Sequence, residues 1–185
     1  MPTTIRLLVI SDTHSIWLYT PSCLAPPCDI LIHCGDLIQV GGLAAYKKTM
    51  QDIQTINAEL KFIIAGNHDL DLDEEWLRKN AEEGEEEEEE EEEEDTKDSS
   101  RCVEFMKSHE KDGVYYLAEG RHEFKLKDGR EFMIWVSPYT PEFSKNRPFR
   151  DTPYAVALTG WAVVAFTSTT FTAGSFSFFN FSCIA

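Results

Sequence analysis

The chain has 185 residues, 42% of them hydrophobic, and a formal net charge of -16. That length and apolar content suit one domain with its own core. The charge is local: Glu82, Glu83, Glu85–Glu94 and Asp95 hold 13 of the 33 acidic residues, so the rest is nearly balanced and offers no basic stripe for nucleic acid.

The opening "MPTTIRLLVI" has too short an apolar run for a signal peptide and ends in Ser-Asp rather than a cleavage site. Within it, Ile5–Ile10 reads as a strand covered on both faces, and "DILIH" (Asp29–His33) and "KFIIA" (Lys61–Ala65) read the same way. Between the second and third runs, Leu43, Tyr46, Met50, Ile53, Ile56 and Leu60 fall three or four apart, which predicts a helix with one apolar stripe. Strand, crossover, strand, helix, strand implies a parallel α/β layer. "DLDEEWLRKN" then offers an acidic helix start, and Ser99–Lys111 a second helix with Val103, Phe105 and Met106 inward. The intervening segment 82–98 reads as a disordered acidic insertion, because a glutamate run buries nothing; its alternative use is a site for a basic partner. "VYYL", "HEFKL" and "EFMIWV" read as strands, the last two joined at Lys127-Asp128-Gly129.

Residues 1–150 are therefore read as the domain and 151–185 as an atypical tail. Ala155–Ala185 carries no charge, holds many Phe, Ser and Thr, and shows neither a period of 2 nor of 3.6. It contains no apolar span of 18 residues, so no membrane is expected. Five cysteines with no C-x-x-C pair read as reduced thiols, which sets the expectation of a cytoplasmic or nuclear protein.

Each of the three predicted parallel strands runs into a polar cluster: Asp12-Thr13-His14, Gly35-Asp36, and Gly66-Asn67-His68-Asp69. The carboxyl edge of neighbouring strands is where open α/β sheets gather ligands. Asp and Asn oxygens with His nitrogens form a borderline-hard donor set suited to Mn, Fe, Zn or similar ions. Gly35 and Gly66 fit a turn so tight that a Cβ would obstruct it. His33 and Cys34 read as sheet-edge packing, and His109 and His122 as surface residues.

"SDTH", "HCGD" and "GNHD", in that order and each behind an apolar strand, resemble the calcineurin-like metallophosphoesterases. The longer stretch "CDILIHCGDLIQVGGL…KFIIAGNHDLDLD", with "SPYTPEF" later, looks like the subgroup of metallophosphoesterase-domain brain proteins. The resemblance covers about residues 5 to 145. It implies an α/β/β/α sandwich holding two divalent cations (Mn, Fe, Zn or Mg), here incomplete at the C-terminus. Asp12 and His14 would serve the first cation, Asp36 would bridge both, and Asn67 would serve the second. His68 would stand outside the cations and contact the phosphoryl group, with Asp69 orienting its ring. The reaction implied is hydrolysis of a small phosphoester, a phosphodiester in the subgroup, by a water between the cations. The family also supplies three histidines from later loops, whereas no histidine follows His122 here. The expectation is one cation at most and impaired hydrolysis, with a frame or splice divergence between Pro148 and Thr159 truncating the domain. Two other readings stay open: an inactive family member, and a binding module acting through the acidic loop.

Overall fold

A computed structural model describes residues 4–75, 77, 89–138, 163–168 and 177–179. The apolar runs form β1 (Leu7–Ile10), β2 (Ile30–His33) and β3 (Leu60–Ile63), and "VYY" forms β4 (Val114–Tyr116). All four pair in parallel in the order β1-β2-β3-β4. Helix α1 (Leu43–Gln54) connects β2 to β3, and α2 (Glu89–Lys107) precedes β4. A second, antiparallel sheet runs β5 (Gly120–Lys125), β6 (Glu131–Ser137), β7 (Val163–Ser168), β8 (Ser177–Phe179).

Alternation along the parallel strands sends residues to two cores. Leu31, Ile63 and Val114 pack with Tyr46, Met50 and Ile53 of α1 and with Cys102, Val103 and Met106 of α2. Ile30, Ile32, Leu60 and Phe62 pack with Phe132, Ile134 and Val136 of β6. The layers among the described residues are thus helix, sheet, sheet, consistent with the expected α/β sandwich. Lys61 stands where alternation calls for an apolar side chain; its ammonium reaches the Ala58 carbonyl at 3.1 Å while the stem stays buried. Phe62 is fully buried between the sheets, its ring centroid 4.4 Å from that of Phe124 and 6.1 Å from that of Phe132. Phe62→Ala should cost about 3–5 kcal/mol, seen as a lower urea midpoint with an unchanged m-value.

Three elements differ from expectation. First, α1 ends at Gln54, and Leu60 belongs to β3. The Thr55 hydroxyl donates to the Asp52 carbonyl at 2.6 Å, a side-chain bond that competes with helix continuation. Second, Glu89–Asp98, read as part of a disordered insertion, is helical and continuous with the helix expected from Ser99. Glutamate is a good helix former, and negative charge is favoured toward a helix N-terminus, so docking of the Cys102–Met106 face can draw the acidic turns into the helix. The rest of the insertion, 82–88, lies outside the described residues. Third, the tail contributes β7 and β8, paired from Phe132↔Ser168 through Ser137↔Val163. "VVAFTS" is rich in strand formers, and the open edge of β6 gives it a partner that no local period reveals. No helix among the described residues is long and apolar enough to cross a membrane.

Candidate metal centre

Ile10, His33 and Ile63, the last residues of β1, β2 and β3, are level with one another in the parallel register. The three polar clusters therefore leave the sheet along one edge. Backbone bonding continues past the strands: the Asp12 N–H donates to the Gly35 carbonyl (3.0 Å), His14 to Asp36 (3.0 Å) and Ser15 to Leu37 (2.9 Å). Asp12, His14, Ser15 and Asp36 are the non-glycine residues with positive φ among those described, at 53°, 44°, 64° and 53°. Such backbones persist where the surroundings over-determine them, and they gather at functional sites.

Glycine makes the close approach possible. A Cβ on Gly35 (φ 101°) would lie 2.7 Å from the Gly66 Cα and N, and one on Gly66 would fall on the Asp36 nitrogen and carboxylate. The expected need for glycine at both positions is met in the structure.

His14, Asp36 and His68 bring their donor atoms within 4.8 Å of one another. Asp36 Oδ1 accepts the His68 backbone N–H at 2.9 Å, while Oδ2 lies 4.0 Å from His14 Nε2. That second distance is too long for a hydrogen bond yet short enough for a cation about 2.0–2.2 Å from each atom to bridge the two. The imidazoles of His14 and His68 meet edge to face, centroids 4.7 Å apart. His14 Nδ1 and Asn67 Nδ2 are buried without a hydrogen-bond partner. Turned about its terminal bond, the Asn67 amide presents its oxygen at the same place. Imidazole nitrogens, a carboxylate and unsatisfied buried polar atoms form a donor set that fits a divalent cation.

The sequence expectations divide here. His14 and Asp36 come together as expected. His68, expected outside the cations, has a ring nitrogen within the three-residue cluster. Asp12 is not part of that cluster; its carboxylate accepts from the Ser11 hydroxyl, and its backbone joins the site through Gly35. Asp69, expected to orient the His68 ring, is fully buried and accepts from the Gly66 N–H (2.8 Å), the Leu37 N–H (3.1 Å) and the Ile38 N–H (3.4 Å). Burial pushes its carboxyl up to about 7, while the three amides pull the other way.

Sequence reasoning missed a buried support beneath the cluster. His33 Nε2 pairs with the Thr13 hydroxyl at 2.9 Å, and that hydroxyl also lies 3.3 Å from the Leu37 carbonyl. Burial lowers the His33 pKa to about 4, so the ring is neutral at pH 7. His33 was expected only to pack at the sheet edge; its bond to Thr13 is what that expectation lacked. His109 Nδ1 lies 2.9 Å from the Phe105 carbonyl and His122 Nε2 2.9 Å from the Ala118 carbonyl, so neither joins the centre.

A family model described as "Calcineurin-like phosphoesterase" matches residues 5–167. The human and mouse proteins called "Metallophosphoesterase domain-containing protein 1" are each 38% identical over 72 residues, 39% of this chain and 21% of theirs. A "Probable rhamnogalacturonate lyase C" of Emericella nidulans is 28% identical over 138 residues, 75% of this chain and 11% of that protein. The chain thus matches about a fifth of the length of the mammalian relatives. With the family match spanning most of the chain and three polar strand ends meeting at one edge, the chain belongs to the calcineurin-like phosphoesterase family.

Proposed function

We propose that the chain hydrolyses phosphoric esters, phosphodiesters in particular, with a divalent cation held by His14 and Asp36 and flanked by Asn67. The observation that carries this reading is the meeting of His14, Asp36 and His68 donor atoms within 4.8 Å at the carboxyl edge of the parallel sheet. A bound divalent cation supplies Lewis-acid polarisation of a phosphoryl oxygen and lowers the pKa of a bound water toward ~7. Asp36 would offset the charge of such a cation with its carboxylate, whose Oδ1 accepts the His68 backbone N–H. The His68 ring, partly buried and meeting the His14 ring edge to face, would face the phosphoryl group and serve as general acid to the departing oxygen.

A second reading, one cation and slow hydrolysis, is favoured by the carbonyl bonds of His109 and His122, which hold both rings away from the centre. Both readings are tested on one preparation. After loading with Mn²⁺ and removal of the excess, elemental analysis should find no more than one tightly held cation per chain. The same protein should hydrolyse bis(4-nitrophenyl) phosphate with added Mn²⁺ and stop with a chelator. Two tight cations would overturn the single-site reading. A rate indifferent to both Mn²⁺ and chelator would overturn the metal-dependent one.

A further inference from the structure

We propose that Asp69 is a positioning residue: its buried carboxylate ties the Asp36 loop to the Asn67–His68 loop through backbone amides and so sets the spacing of the cation-binding groups. This rests on the reading that His14 and Asp36 hold a cation. The Leu37 N–H, directly after Asp36, lies 3.1 Å from Asp69 Oδ1 and 3.3 Å from Oδ2. The Ile38 N–H reaches Oδ1 at 3.4 Å, and the Gly66 N–H, just before Asn67, reaches Oδ2 at 2.8 Å. The Asp69 N–H closes its own turn on the Gly66 carbonyl at 3.1 Å. One side chain, 0% exposed, thus joins the ends of β2 and β3 just where each presents its ligand.

A residue selected for packing alone would not be a carboxylate, because removing that charge from water costs several kcal/mol. An apolar side chain would fill the space but leave three inward-facing N–H groups unpaired, each at about 1–3 kcal/mol. The main chain occupies both carboxylate oxygens, so the effect on His68 passes through the backbone. Asp36 bears most on this clamp. Its left-handed φ of 53° needs neighbours that fix it, and its carboxylate in turn holds the His68 N–H.

The test uses the whole chain and Co²⁺, and its first measurement needs no variant. In metal-free wild-type protein, NMR hydrogen exchange should find the Leu37, Ile38 and Gly66 amides protected. Exchange of Leu37 and Gly66 as free as that of exposed loop amides overturns the clamp. In Asp69→Asn, which keeps one acceptor oxygen but turns an NH₂ toward donors, protection at those three amides should fall by roughly tenfold or more. The Ile64 and Leu117 amides, bonded to the His33 and Ile63 carbonyls, should keep theirs. The Co²⁺ dissociation constant should rise about 10–100-fold with an altered visible spectrum. A folded Asp69→Asn with wild-type Co²⁺ affinity and spectrum overturns the positioning role. Wild-type protein that takes up no Co²⁺ overturns the metal reading and the positioning role with it, while protected amides would still establish the clamp.

Discussion

Asp36→Asn should lose cation binding by at least about 100-fold, beyond the usual cost of losing an outer partner of a metal ligand, while unfolding at nearly the wild-type temperature. The amide keeps an oxygen where Oδ1 accepts the His68 N–H, and Asn, like Asp, tolerates the left-handed backbone at φ 53°. What disappears is the charge beside His14 Nε2. Asp36→Ala removes more: the His68 N–H loses its acceptor, worth about 1–3 kcal/mol, and alanine in the left-handed region costs about 1–2 kcal/mol. The readout is a thermal melt with and without Mn²⁺. A cation at 100 times its dissociation constant stabilises the folded chain by about 2.7 kcal/mol, so wild type should shift upward. Asp36→Asn should start near wild type and not shift, whereas Asp36→Ala should start lower and not shift. A shift in Asp36→Asn equal to that of wild type would place the cation elsewhere.

The separation of charge from backbone at this one residue also explains what could be read from the sequence. Strands β1, β2 and β3 were legible because parallel strands covered on both faces are short continuous apolar runs, and each run led within a few residues into a polar cluster. Their common edge followed from the topology, and with it His14 beside Asp36. Asp69 was assigned to the wrong partner because sequence order places it beside the His68 ring. Its actual partners are amides of a loop more than 25 positions earlier, together with that of Gly66. Main-chain donors look the same at every position of a sequence, so nothing local marks them. The same holds for β7 and β8: an antiparallel strand recruited to an existing edge takes its register from its neighbour rather than from its own pattern. The acidic residues from Glu89 were misread for the opposite reason. Their composition argues against burial, but a helix can extend outward from a docked end without burying each turn.

Gly66→Ala is the sharpest test of the centre, because one methyl group acts on it without changing any functional group. Gly66 is not among the positive-φ residues, so the effect is purely one of space. The added Cβ would fall on the Asp36 nitrogen and Oδ1, and its Asp36 Cγ neighbour would be only 3.0 Å away. A backbone nitrogen cannot swing aside as the tip of a long side chain can, so the β2 and β3 loops must part. Overpacking of this kind costs about 1–3 kcal/mol. Parting the loops also pulls the Asp36 carboxylate from the His68 N–H and from its place opposite His14. Gly129→Ala is the control: it too places a side chain in a turn, at φ 91°, but nothing lies within 4 Å of its Cβ. That variant should lose only the backbone term of about 1–2 kcal/mol and keep the full Mn²⁺-induced rise in melting temperature. Gly66→Ala should lose the rise entirely, even at temperatures where circular dichroism shows it folded. If instead it retains the rise, the approach of Gly66 to Asp36 is not what holds the centre together.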